Sequence, residues 1–204
     1  SLHDALPIYN VECRDKSGTS KGVGWEKMKI YAARHGQTEW NALYKVCGRT
    51  DINLTQEGYR QAEMLANSIL ECGIQRIYSS PLRRAMDTSR VISERTGVPY
   101  YAEDRLIEQD YGIFEGIDRK NEDFLNVKKN FAFRYPGGES MMQTACRVYN
   151  LLDEIKKRDK DKTVLLVSHG GICRVIRSYF TDMTNDEYYH YTQKNGTLEL
   201  YRCD

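Results

Sequence analysis

Two apolar runs with the look of buried strands, Met28-Lys29-Ile30-Tyr31-Ala32-Ala33 and Thr163-Val164-Leu165-Leu166-Val167, each end in a histidine followed by glycine. Arg34-His35-Gly36 closes the first and Ser168-His169-Gly170-Gly171 the second. Between them, helical spacing alternates with further short strands, a pattern that implies a mostly parallel sheet covered on both faces. The expected fold class is therefore α/β, a three-layer α/β/α sandwich with a mostly parallel central sheet. With 204 residues the chain suffices for one such domain and its core.

Local signals place the elements. Thr55 serves as N-cap for a helix in which Tyr59, Ala62, Leu65, Ala66, Ile69 and Leu70 recur at helical spacing, and Cys72-Gly73 stops it. Arg76-Ile77-Tyr78-Ser79 reads as a strand, Ser80-Pro81 as a helix start, and Gly97-Val98-Pro99 as that helix's end. Tyr100-Tyr101-Ala102 is a further short strand. Irregular sequence follows to about Tyr135, then a long helix through Met142, Val148 and Ile155, a helix over 171–179, and a last strand over 197–201. Residues 1–27 are polar and aperiodic around Asp15–Gly24. They are expected to be a disordered, non-native extension, with the domain occupying 28–204 from a natural start at Met28.

A net charge of +1 supplies no global field for nucleic acid or an anionic membrane, and no apolar run approaches the ~20 residues of a membrane helix. The six cysteines are scattered, without C-x-x-C or metal-ligand spacing. No metal or cofactor is expected, and a reducing cytoplasm is the expected setting.

In open α/β sheets, ligands collect at the carboxyl ends of strands. That edge should gather Arg34, His35, Arg83, Arg84, Glu108 and His169. Arginine forks grip phosphate oxygens, and helix N-termini after Ser80 and Gly170 add N–H donors. A neutral imidazole can attack phosphorus, provided a backbone carbonyl on its other nitrogen orients the lone pair. Arginines and a second, protonated histidine would supply the positive charge that phosphoryl transfer needs. Glu108 would protonate the departing oxygen and then activate water.

Arg34-His35-Gly36-Gln37-Thr38-Glu39-Trp40-Asn41 resembles the R-H-G-[EQ]-[ST]-x-x-N signature of the histidine phosphatase superfamily, phosphoglycerate mutase-like branch. Ser79-Ser80-Pro81-Leu82-Arg83-Arg84-Ala85 with Thr88 resembles its S-x-L-x-R-A-x-x-T element. Gly48, Asp51, Leu54, Thr55 and Gly58 match its G-x-x-D-x-x-L-T-x-x-G link, and Glu108, Gly112, Glu115 and Gly116 its E-x-x-x-G-x-x-E-G block. Gly138-Glu139-Ser140 and Ser168-His169-Gly170 complete the ordered set. The resemblance implies phosphorylation of His35, with Arg34, Arg84 and His169 binding the phosphoryl group and Glu108 as proton donor. It also implies that Gln37, Thr38, Asn41 and Gly170 line the pocket, and it leaves Arg83 on the rim.

The expected activity is phosphomonoester hydrolysis, with a small phosphorylated metabolite as partner. In the related mutases, Arg-His-Tyr follows the catalytic glutamate. Here Gln109-Asp110-Tyr111 stands there, and Asp110 disfavours a small polyanion. Mutase-type phosphotransfer is the alternative, and a non-catalytic phospho-ligand-binding module a further one. Arg119, Lys120, Lys128, Lys129 and Arg134 read as a solvated face, contact of one or two of them with a second anionic group being the alternative. Cys47 reads as a spectator thiol, and the aromatic residues of 124–135 as a packed lid.

Overall fold

The computed structural model describes residues 9–11 and 28–203. Their strands are β1 (Tyr9–Val11), β2 (Met28–Arg34), β3 (Arg76–Ser79), β4 (Tyr100–Ala102), β5 (Thr163–Ser168) and β6 (Leu198–Cys203). They form one sheet in the order β1-β6-β2-β5-β3-β4. From β2 to β4 all pairings are parallel, whereas β6 runs antiparallel to β2 and carries β1 parallel to itself on the outer edge. The helices are α1 (Glu39–Ala42), α2 (Gln56–Ser68), α3 (Arg83–Thr96), α4 (Glu122–Lys128), α5 (Met141–Arg158), α6 (Gly170–Phe180) and α7 (Asn185–His190).

The period-2 geometry of a strand explains the three layers. Ile30, Ala32, Val164 and Leu166 point to one face, where Val148, Leu151, Leu152 and Ile155 of α5 and Ile172, Val175 and Ile176 of α6 cover them. Tyr31, Ala33, Leu165 and Val167 point to the other, against Leu65 and Ala66 of α2 and Ala85 and Ile92 of α3. Strands buried on both faces must be continuously apolar in their middle, as Ile30–Ala33 of β2 and Val164–Val167 of β5 are. Each fully buried leucine or isoleucine contributes about 1.5–3 kcal/mol relative to exposure.

A third, smaller cluster of Val46, Phe114, Phe124 and Tyr135 sits beneath the irregular stretch between β4 and α5. Tyr111 meets Phe124 and Tyr135 edge-on at centroid distances of 5.6 and 5.1 Å. Of the aromatic residues of 124–135 expected to pack a lid, Phe124 and Tyr135 thus join a small core, while Phe131 packs on Tyr188 and Phe133 is exposed.

Several boundaries differ from the sequence reading. Residues 9–11 form an edge strand rather than disordered chain, while 1–8 and 12–27 lie outside the described residues. Helix α3 begins at Arg83, not at Ser80-Pro81, because the Ser80 N–H still extends the sheet ladder by donating to Val167 O. Helix α2 ends at Ser68 and gives way to a turn that leaves Cys72 outside the helix. The short helices α4 and α7 lie where no apolar period was legible.

Candidate active site

Strand register brings the two histidines together. Arg34 pairs with Ser168 across β2 and β5, so His35 and His169 each stand one residue beyond adjacent strand ends. The His35 N–H donates to Ser168 O at 3.0 Å, carrying the ladder one step further. The ring centroids are 5.0 Å apart. Ser79 pairs with Val167 on the far side of β5, which brings Ser80 to the same edge.

Each ring has a defined tautomer. His35 Nδ1 donates to Gly36 O at 2.6 Å, which leaves the Nε2 lone pair free. For His169, the Arg84 Nε–H donates to Nδ1 at 3.2 Å, so the ring proton resides on Nε2 and is shared with Ser80 Oγ at 2.6 Å. Burial, then the charges of Arg84 and Arg34, hold the His35 pKa well below the usual imidazole range. Burial and Arg84 likewise hold His169 well below it. The Arg84 N–H on Nδ1 and the burial of the ring both favour a neutral His169, where the sequence reading expected a protonated one.

Arg84 is fully buried in the first turn of α3. Its Nη1 and Nη2 donate to Thr50 O and Gly48 O at 2.9 and 2.6 Å. That loop is in turn gripped by Glu115, whose carboxylate accepts the N–H groups of Arg49 and Thr50, both at 2.7 Å. Arg34 Nη1 donates to Gln193 O at 2.6 Å, while its buried Nε has no partner. An orphaned guanidinium N–H at this depth costs free energy that a bound anion would recover. Burial, then Arg119, lowers the Arg34 pKa. Gly170 leaves room for this arginine, since a Cβ there would come within 3.3 Å of its Cζ.

Glu108 is 4% exposed, and its two oxygens accept N–H groups from Gln109 and from Gly171 in the first turn of α6 at 2.8 and 3.1 Å. Its segment is positioned by Arg147, which donates to Glu108 O and Arg105 O and pairs with Glu139 at 3.1 Å. Glu139 also pairs with Arg49 at 2.9 Å. The glutamates at 115 and 139, present in the sequence motifs without a role, thus act by holding loops in place.

Arg34, His35, Asn41, Glu108 and Gly170 line a cavity of about 360 Å³, and Arg84 and His169 pack beneath it. Two expected lining residues do not. Thr38 is fully buried as the N-cap of α1, in a reciprocal capping box with Asn41. Gln37 is turned toward α2, where its Oε1 accepts from Thr55 Oγ1 at 3.1 Å and its N–H donates to Gln61. Arg83 is exposed, as expected. Asp110 is also absent from the cavity wall: its Oδ1 accepts the Gly112 N–H and its Oδ2 lies 3.7 Å from Arg49. Asp110 therefore does not disfavour a polyanion in the cavity. Cys47 lines the cavity, and burial raises its thiol pKa, which disfavours the nucleophilic thiolate.

Three residues of the loop before β6 went unread in the sequence. Gln193 holds Arg34 through its carbonyl, and its amide donates to Ala32 O and Thr197 O at 3.0 and 2.8 Å. Asn195 Nδ2 donates to His35 O at 2.9 Å and to Asn41 Oδ1 at 3.1 Å. Tyr191 anchors Arg174. The only sequence signal was a polar Thr-Gln-Lys-Asn-Gly turn ahead of the last strand.

The family model for the histidine phosphatase superfamily (branch 1) matches residues 30–204. Phosphoserine phosphatase 1 of Hydrogenobacter thermophilus is 34% identical over 149 residues, covering 70% of this chain and 71% of its own. A probable phosphoglycerate mutase, GpmB, of Yersinia pestis is 33% identical over 150 residues, with 70% of each chain covered. The solved structure of a mycobacterial glucosyl-3-phosphoglycerate phosphatase superposes with a TM-score of 0.76 at 25% identity, covering 86% of this chain and 90% of that one.

Proposed function

We propose a phosphomonoester phosphatase, starting from the fact that the chain belongs to the histidine phosphatase superfamily (branch 1). The observation that carries the proposal is the His35 ring itself. It is neutral, oriented by Gly36 O through Nδ1, and presents an Nε2 lone pair beside two buried arginines.

In the first half-reaction the Nε2 lone pair attacks phosphorus and the bond to the leaving oxygen breaks. That oxygen takes the proton of the Glu108 carboxylic acid. Arg34 and Arg84, with the N–H groups at the start of α6, balance charge on the equatorial oxygens. As the anion arrives its charge opposes the local desolvation, and His169 can then gain a proton. In the second half-reaction Glu108 removes a proton from water as it attacks, the P–N bond breaks, and the electron pair returns to Nε2. Phosphate departs with Glu108 reprotonated.

The substrate in this reading is a small phosphorylated metabolite, in keeping with the names of the relatives. A reducing cytoplasmic setting is part of the same reading, supported by the free thiols of Cys47, Cys72, Cys146, Cys173 and Cys203. Among the described residues no helix is long and apolar enough to cross a membrane.

The test is turnover of p-nitrophenyl phosphate, with a base-quenched search for ³²P on the protein. The expected result is phosphate release and label in the native chain, and neither in His35→Ala. Undiminished release by His35→Ala would overturn the reading. The Yersinia relative keeps mutase chemistry as a second reading; interconversion of 2- and 3-phosphoglycerate faster than phosphate release would favour it.

A further inference from the structure

The turn at 194–197, ahead of β6, packs against the backbone of Arg34 and His35. The N–H of Gly196, a residue at φ 67°, donates to Arg34 O and His35 O at 3.0 and 3.2 Å. This seats the side chain of Asn195 on the His35-Gly36 turn. Its Nδ2 donates to His35 O at 2.9 Å, approaches Gly36 O at 3.4 Å and reaches Asn41 Oδ1 at 3.1 Å. Gly36 O is the acceptor that holds the His35 ring through Nδ1. Other elements hold the rest of that turn: the Gly36 N–H donates to Thr88 Oγ1 at 3.1 Å, and a Cβ at Gly36 would overlap Gly58 O.

The same amide fixes Asn41. Asn41 Oδ1 accepts the backbone N–H of Thr38 at 3.1 Å, so the atom there is the oxygen, and Asn195 presents a hydrogen to it. With two hydrogens, the Asn195 amide serves Asn41 with one and shares the other between the two carbonyls of the turn. An amide whose oxygen is held by two donors cannot flip. Asn41 Nδ2 is left without an acceptor among the described residues, and Asn41 lines the cavity with Arg34 and His35. Asn195 itself stands outside the cavity wall.

We propose that Asn195 is a positioning residue of the phosphoryl-transfer site, holding the nucleophile's turn and the Asn41 amide in one register. The inference rests on the phosphatase reading and adds to it a residue that no sequence motif covers. Its physical basis is placement: in-line attack tolerates little misalignment between His35 Nε2 and the groups around the equatorial oxygens. Without Asn195, the carbonyl that orients the His35 ring loses its cross-link to Asn41. The ring proton is then free to divide between the two nitrogens.

The experiment uses two variants. Asn195→Ala removes the amide, and Asn195→Asp keeps its shape but sets an oxygen where Nδ2 donates. Both should lower kcat/KM for p-nitrophenyl phosphate about tenfold to a hundredfold. Lys194→Ala, at an exposed position in the same turn, should match the native chain. On an Asn41→Ala background, Asn195→Ala should cost less than it does in the native chain, because its effect through Asn41 is already gone. A merely structural role would not move the His35 tautomer, which long-range ¹H–¹⁵N spectra report above the imidazole titration range, with His35→Ala assigning the signals. In the native chain Nδ1 should give the protonated signal and Nε2 the unprotonated one. In either Asn195 variant the two should move toward each other.

Native kcat/KM in both variants, losses that multiply in the double variant, or an unshifted His35 tautomer overturns the positioning role and leaves the phosphatase reading intact. Failure of the native chain to hydrolyse the aryl phosphate overturns the phosphatase reading instead, and the tautomer spectra still decide the role of Asn195.

Discussion

Replacing Gly171 by alanine offers a sharp test of the assignment of Glu108 as proton donor. Gly171 lies in the first turn of α6 and its N–H holds Glu108 Oε2 at 3.1 Å. A Cβ on this residue would stand 2.5 Å from Glu108 Oε1 and 3.0 Å from the Tyr111 hydroxyl. Ordinary contact begins near 3.4 Å, so the carboxylate must retreat by about 0.9 Å, the difference between 3.4 and 2.5 Å. Alanine is the better helix former by about 1 kcal/mol, so the backbone itself favours the change. Loss comes from the displaced carboxylate, whose hydrogen bonds to backbone N–H are worth about 1.5–3 kcal/mol each. A misplacement of about 1 Å at a reacting group costs on the order of a hundredfold in rate.

The assay compares kcat/KM for an alkyl phosphate and for p-nitrophenyl phosphate, since kcat/KM reports phosphoryl transfer to the enzyme up to the first irreversible step. An alkoxide needs its proton in the transition state, whereas p-nitrophenolate departs without one. Gly171→Ala should therefore lower kcat/KM for the alkyl ester about a hundredfold and for the aryl ester by only a few-fold. Equal losses on both esters would show that the carboxylate positions the phosphoryl group instead of protonating the leaving oxygen. No loss on either would sink the geometry.

Acid stability follows from the two buried rings. A histidine whose folded pKa lies below 6.5 contributes stability that is complete above pH 6.5 and is lost as pH falls from there toward the folded value. Urea midpoints at pH 7.5 and 5.5 should show this drop in the ligand-free protein; saturating phosphate, which favours protonated rings, should shrink it, and a flat profile would contradict the burial of both rings. Gln193→Ala removes two buried amide hydrogen bonds and loosens the carbonyl that holds Arg34, so the unfolding free energy from urea titration should fall by about 1–3 kcal/mol and the Ki of inorganic phosphate should rise. An unchanged phosphate Ki in a variant of reduced stability would confine Gln193 to a structural role.

Much of the sheet was legible because its strands are buried on both faces and therefore continuously apolar, as in Val164–Val167. The start of α2 was legible because its cap precedes an apolar period: Thr55 accepts the Gly58 N–H as its position implied, whereas α4 and α7, capped by Asn121 and Thr184 without such a period, went unread. The start of α3 was misread, since what fixes it is the bond from the Ser80 N–H to Val167 on another strand.

The amino-acid sequence by itself determined which residues are chemically equipped to act: His35, His169, Arg34, Arg84 and Glu108 all follow strand ends or open helices, and short-range spacing carries that information. Only the tertiary structure decided their states and their company. Desolvation favours the neutral form of His169, and a burial that depends on the whole fold cannot be read from its neighbours in the chain. Lys128 and Arg174 line the cavity from separate helices, and Gln193 holds Arg34 from the loop before β6; Lys128 and Gln193 lie in stretches without apolar period. Side chains at the ends of such segments owe their direction to long-range packing, so the wall facing the leaving group took shape only when the chain closed around it.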